Sequence, residues 1–356
     1  MCLKNNILII NEGNSDNLGD KAIKKSVSEF YTAHNTELYF SDYTKKNEIN
    51  ITENKNKNKN KNKNLFHFLK FVIPYKLRWL LLNYSRIKKT VAQKYDLVSI
   101  GGGQLILSNE TFAIALFTWV WSLHFTGSKN IILLSIGVGD KFSFLDRILF
   151  KLALNKVKHV YARDLKSIRN LKSIFKVNGM RTFDIAFFHA KNNNTTVGNS
   201  IFLGVTDYKV YIKYNPIITR NEYYDSWVEI INRLQKNNTI KLFYTTQSDL
   251  DECVKFKEYC RAQYNLNFDI VKTRNLDELN IALSNATTVI SGRMHALILA
   301  YNLNRNIIAY PISNKLITFN EEIISKKLDN NLIQNKLESM RHTIFSQYIK
   351  NENINN

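Results

Sequence analysis

The chain has 356 residues, 44% hydrophobic and 22% charged, more than a single core usually supports, so two domains are expected. Three cysteines (Cys2, Cys253, Cys260) are too few and too poorly spaced for a disulfide framework or a zinc site, so no metal is expected and a reducing cytoplasm fits best. The formal net charge of +20 attracts polyanions, whether nucleic acid, anionic lipid or phosphorylated substrate, without choosing among them.

The first apolar run, ILII at 7–10, is shorter than the apolar region of a signal peptide and reads as a strand. A helix pattern follows it through residue 31. The run NKNKNKNKNKN at 54–64 holds no apolar side chain to bury, which predicts a disordered surface insertion. Residues 65–94 carry seven Lys or Arg, no acidic residue and Phe66, Phe68, Phe71 and Trp79. That composition suits a basic amphipathic element, lying on an anionic membrane or packed on the sheet by its apolar face.

DLVSI (96–100) then leads into GGGQLI, and NIILLSIGVG (130–139) and HVYARD (159–164) each lead into a helix pattern. The apolar stretch at 112–125 falls short of the ~20 residues that span a bilayer. Alternation of this kind predicts parallel strands joined by crossover helices. RTFDIAFF (181–188) reads as a further strand, and the polar stretch 189–200 marks a domain boundary. Beyond it the rhythm resumes with TIKLFYTT, a helix near 249–263, FDIVKT, a helix near 276–284, TTVIS and a helix from about Met294.

The expected architecture is therefore α/β and GT-B-like, with two doubly wound, Rossmann-like parallel-sheet domains facing a central cleft. Residues 1–190 form the first domain and 198–330 the second, with 331–356 as a C-terminal helix or tail.

In such sheets ligands bind beyond the carboxyl ends of the strands, at loops that lead into helix N-termini. Four stretches fall there. GNSDNLGDKAI offers Gly13 and Gly19 for tight turns and Asn14, Asn17 and Asp20 for hydrogen bonding; Asp20 also suits a helix N-cap. Gly101, Gly102 and Gly103 can bring backbone close to a ligand or form an anion nest. In YARDLKS, Arg163 can grip a phosphate or carboxylate, or pair with Asp164. In VISGRMHALILAYN, Ser291 and Gly292 make the turn and Arg293 and His295 stand at the start of a helix, with Lys315 after the next strand. Asp184 reads as structural.

Together, NLGDKAI, DLVSIGGGQL, SIGVGD, ARDLKSIRNL, FDIAF and SGRMHALILAYNLNRNIIAYPISNK resemble the polysaccharide pyruvyl transferase family, in its order, from about residue 7 to 316. The acidic residue that usually follows GD in the family is Lys21 here. The resemblance implies transfer of a pyruvate ketal from phosphoenolpyruvate to a hexose of a surface polysaccharide or its lipid-linked precursor. Phosphoenolpyruvate would act as co-substrate, with no cofactor. It also implies donor binding and catalysis by Arg163, His295 and Lys315, to which charge and proximity add Arg293; Ser291 and Gly292 are expected on the donor side as well. His295 is expected to be the general acid, with Arg293 weighing against its protonated form until a phosphate dianion binds. Asn14, Asn17, Asp20, Gly102 and Gly103 are expected on the acceptor side.

A nucleotide-sugar glycosyltransferase of the same architecture is the alternative reading. The sequence has no zinc finger, helix-turn-helix or RNP-type aromatic motif, so nucleic acid is not an expected partner. The expected location is the cytoplasm, peripheral on the inner membrane if 65–94 binds lipid.

Overall fold

The computed structural model describes residues 4–33, 35–44, 74–109, 111–188, 200–234 and 238–349. The Asn/Lys run and the first part of the basic stretch, 65–73, lie outside them. The strands are β1 (Asn5–Asn11), β2 (Thr36–Asp42), β3 (Leu97–Ile106), β4 (Ile131–Val138), β5 (His159–Ala162), β6 (Met180–Arg181), β7 (Ser200–Gly204), β8 (Thr239–Leu242), β9 (Asp269–Ile270), β10 (Thr288–Ser291) and β11 (Asn306–Ala309). The helices are α1 (Leu18–Tyr31), α2 (Tyr75–Val91), α3 (Phe112–Phe125), α4 (Phe144–Leu154), α5 (Leu165–Asn170), α6 (Tyr208–Tyr211), α7 (Arg220–Leu234), α8 (Gln247–Tyr264), α9 (Leu276–Ser284), α10 (Met294–Asn302), α11 (Asn314–Phe319) and α12 (Asn330–Tyr348).

Contacts divide the chain into two compact units. The first holds residues 1–12, 31–182 and 340–356; the second holds 13–30 and 183–339. This grouping differs from a single cut in 189–200. Residues 13–30 precede the first unit's later strands in sequence, yet they pack with the second unit: the N–H of Leu18 donates to the carbonyl of Thr245 at 3.0 Å, and Phe30 meets Phe188 edge to face. The second half of α12 belongs to the first unit, where Phe345 stacks on Tyr31 and Arg341 donates to the carbonyl of Thr32.

The first unit is a six-stranded sheet in the order β2-β1-β3-β4-β5-β6, parallel throughout. Strand β4 is buried along its whole length, as expected for a sheet covered on both faces. Helix α2 buries Trp79, Asn83, Ile87 and Val91, one side chain per turn, so a single stripe of it joins the core. Helix α3 buries seven side chains. No helix among the described residues is long and apolar enough to cross a membrane.

At the start of α4, Ser143 caps the helix by accepting from the N–H of Asp146. The Asp146 carboxylate in turn accepts from Ser143 at 2.8 Å and from the Ser108 hydroxyl, and pairs with Lys76 of α2 at 2.9 Å. Burial alone would raise this carboxyl, but the two hydroxyls and the ammonium outweigh it and hold the carboxyl below its usual range.

The triglycine is not a loop after a strand, as expected, but part of β3. A Cβ on Gly101 would lie 2.1 Å from the carbonyl oxygen of Leu134. Gly102 and Gly103 have φ of 75° and 122°, which a side chain would strain, and the pairing with β4 slips in register there. RTFDIAFF departs from its reading as well: only Met180–Arg181 is strand, and Ile185–Phe188 forms a turn of 3-10 helix.

The second unit is a five-stranded parallel sheet in the order β11-β10-β7-β8-β9. The chain leaves β7 toward β8 on one side and returns to β10 on the other. This is the reversal point at which open α/β sheets place their ligands.

Candidate functional site

At that reversal point β10 ends in Ser291, which pairs with Gly204 of β7, and α10 begins at Met294. Gly292 makes the turn because a side chain does not fit: a Cβ there would lie 2.1 Å from Ile312 Cδ1 and 2.6 Å from Thr206 Oγ1. Ser291 Oγ accepts the N–H of Arg293 at 3.0 Å, so the serine shapes the turn. The hydroxyls of Thr206 and Ser313 are buried with no hydrogen-bond partner among the described residues.

Arg293, expected on the donor side for its charge, is paired with an acid of the same unit. Its Nε donates to Asp249 Oδ2 at 3.0 Å and its Nη2 to Oδ1 at 2.6 Å, a two-pronged pairing that fixes the guanidinium plane. Asp249 is 1% exposed at its side chain and also accepts from the Thr245 hydroxyl and the N–H of Asp207, both at 3.0 Å. Arg293 therefore ties the start of α10 to the first turn of α8. Its charge is matched by a buried carboxylate.

The His295 side chain is 13% exposed, and its Nε2 lies 3.7 Å from Asp184 Oδ2, with no hydrogen-bond partner among the described residues. Asp184 is held by its own turn, with Oδ1 accepting the N–H of Ala186 at 3.0 Å. That turn is fastened to α10 by Asn302, which donates to the carbonyl of Ala186.

The other edge of the imidazole faces Gly19: a Cβ on this residue would lie 2.6 Å from His295 Nδ1. Gly19 is a residue of the first turn of α1, not the tight-turn glycine its motif suggests. The three polar side chains expected near the acceptor all have local partners. Asn14 accepts from Lys24 at 2.8 Å, Asn17 accepts the N–H of Gly19 at 2.9 Å, and Asp20 accepts from Ser15 at 2.6 Å. Asn17, not Asp20, thus caps α1. The loop holds its own shape, and what it presents to His295 is a glycine.

Lys315 is exposed in the first turn of α11. The remaining predicted residues lie in the first unit. Arg163 follows β5, is 5% exposed at its side chain and stands 3.6 Å from Asp164 Oδ2. Gly137 makes room for it, since a Cβ there would lie 2.9 Å from its Nη2. Asp164 caps α5 through the N–H of Ser167, and the Ser167 hydroxyl accepts the N–H of Val138. YARDLKS and SIGVGD are therefore two halves of one arrangement.

The polysaccharide pyruvyl transferase family matches residues 17–314. The chain belongs to the polysaccharide pyruvyl transferase family. No curated protein matches it. Among solved structures it is similar to the UDP-GlcNAc 2-epimerase from Methanocaldococcus jannaschii (12% identity over 98% of this chain and 94% of that one, TM-score 0.51). It is also similar to UDP-GlcNAc 2-epimerase from Neisseria meningitidis bound to UDP-GlcNAc (11% identity, 96% and 92% covered, TM-score 0.51). At such identities the likeness is one of fold, and the fold is GT-B-like: two parallel-sheet α/β domains. Among the described residues no cluster could hold a metal ion.

Two residues of this arrangement carry no motif in the sequence, Asp249, one acid among several in a helix, and Thr206, while Asp184 reads there as structural. Asp249 has a local signal, an acidic residue three positions after Thr246 at a helix start, but nothing nearby in sequence names Arg293 as its partner.

Proposed function

We propose that this chain transfers the three-carbon unit of phosphoenolpyruvate onto two hydroxyls of one hexose in a surface polysaccharide or its lipid-linked precursor, closing a pyruvate ketal. The observation that supports the reading is the placement of His295, with Asp184 3.7 Å from Nε2 and Gly19 packed closely beside Nδ1, in a chain matched by this family over most of its length.

His295 delivers a proton to the donor's methylene carbon, leaving an oxocarbenium-like centre at the adjacent carbon. One sugar hydroxyl adds there; a second displaces phosphate and closes the ring, and each gives up its proton. Asp184 orients the imidazole and offsets charge while the proton is held. The first N–H groups of α10, which have no partner within the helix, and the unpartnered hydroxyls of Thr206 and Ser313 suit the donor's anionic groups. Lys315 and Arg163 keep their donor assignment, and Arg163 its catalytic one, from the family resemblance. Arg293 acts by holding the turn. The acceptor assignment of Asn14, Asn17 and Asp20 narrows to the loop's backbone and Gly19, and Gly102 and Gly103 shape β3 on the acceptor side.

Incubation with phosphoenolpyruvate and an oligosaccharide pool should release phosphate and yield a product heavier by one pyruvate ketal. His295→Gln should lower turnover by about 10² to 10⁴ with an unchanged circular dichroism spectrum. Release of a nucleoside diphosphate from a nucleotide-sugar, with no phosphate from phosphoenolpyruvate, would replace this reading with a glycosyltransferase.

A further inference from the structure

Helices α2, α3 and α4 all follow strands toward higher positions in the order β2-β1-β3-β4-β5, which with right-handed crossovers places them on one face of the first sheet. The Lys76–Asp146 pair joins the starts of α2 and α4. Their outer surfaces are not polar. On α2, Leu77, Leu81 and Tyr84 are 48%, 61% and 58% exposed, spaced four and three residues apart in one line. On α4, Phe144, Leu145, Ile148 and Leu152 are 82%, 51%, 38% and 40% exposed, within about a third of the helix's circumference by its 3.6-residue period.

Solvent-facing stripes on two helices of one sheet face, tied at their starts by Lys76 and Asp146, are more than scattered surface leucines, and mark a surface that meets something apolar. The charge beside them selects the partner. Lys88 continues the α2 line one turn beyond Tyr84, with Lys89 next to it; Arg147 and Lys151 flank the α4 stripe, and all four are exposed. Helices α2 and α3 contain no acidic residue, and the one in α4, Asp146, is buried and paired. Apolar side chains at the centre with cations beside them and no exposed anion within the three helices match an anionic lipid surface; the exposed Asp140 just before α4 is paired with Lys166.

We infer that the outer face of α2 and α4 is a docking surface for an anionic bilayer, with the two stripes entering the headgroup region and Lys88, Lys89, Arg147 and Lys151 meeting lipid phosphates. Helix α4 follows the carboxyl end of β4, and α2 ends just before β3 begins, so both stripes start at the carboxyl edge of the first sheet. This is the edge at which such sheets take ligands. The inference extends the reading of residues 65–94 to a second helix that no basic run announces, and it does not rest on the pyruvyl-transfer reading.

The test is co-sedimentation of the full chain with vesicles of phosphatidylcholine alone or with phosphatidylglycerol, at low and high salt. Binding should require phosphatidylglycerol and weaken with salt. Leu81→Gln with Ile148→Gln, and separately Lys88→Gln with Lys151→Gln, should each weaken it about tenfold or more, with an unchanged melting temperature and circular dichroism spectrum. No binding to phosphatidylglycerol vesicles overturns the inference. So does binding that both double variants retain. A dimer in light scattering that the Leu81→Gln/Ile148→Gln variant alone dissociates also overturns it, since a second copy would then cover the face.

Discussion

His295 stands between a carboxylate and a glycine, and each neighbour makes a different demand. Asp184→Asn keeps size and removes charge, so turnover should fall while substrate KM stays near its normal value, which steady-state phosphate release will show. Gly19→Ala adds one methyl where 2.6 Å separates the site from Nδ1. The imidazole must shift, and a displacement of that size at a reacting group costs about a hundredfold in kcat. Arg293→Ala acts on stability instead. It leaves Asp249 buried without its cation, and chemical denaturation should show a loss of about 3 kcal/mol or more, partly recovered in Arg293→Lys, which keeps the charge but not the two-pronged geometry. The family resemblance named His295 in the sequence, and charge and proximity added Arg293, but neither named their partners. Asp184 and Asp249 are 111 and 44 positions away, and pairing over such separations is decided by the sheet order.

Elements were the most readable level where a strand was wholly apolar and a helix capped. Thr246, Asn275 and Ser143 each accept from a first-turn N–H, and the helices near 249–263 and 276–284 fall where expected. The errors lay where composition misleads. Three glycines imitate a loop while forming a bulged strand, and FDIAFF has a strand's residues but turns, since Asp184 bonds the N–H two residues on. The Asp146 network sets an element-level expectation for pH. Its folded-state carboxyl lies below the usual range, so the stability it contributes is full above the ordinary carboxyl value near ~4 and is lost as pH falls through the lower folded value. Thermal melts should show Asp146→Asn less stable than the parent at neutral pH, with the gap closing on acidification.

At the scale of the molecule, two doubly wound sheets were legible from the alternation of apolar runs and helix patterns, and the assignment of α1 was not, because helices normally stay with the sheet whose strands they join. Neither unit is one continuous piece of chain. Removing residues 340–356 should therefore lower the melting temperature, since it strips the first unit of Met340 and Ile344, both buried, and of the Phe345 stack.

The grouping of residues 13–30 with the second unit also governs how such proteins can be recombined. A chimera joined near residue 190 takes its histidine from one parent and the glycine beside it from the other. A parent with any side chain at position 19 would thus silence the hybrid, although both of its sheets were intact. Pieces inherited together must follow contact, and here contact sends one helix to the far half of the chain.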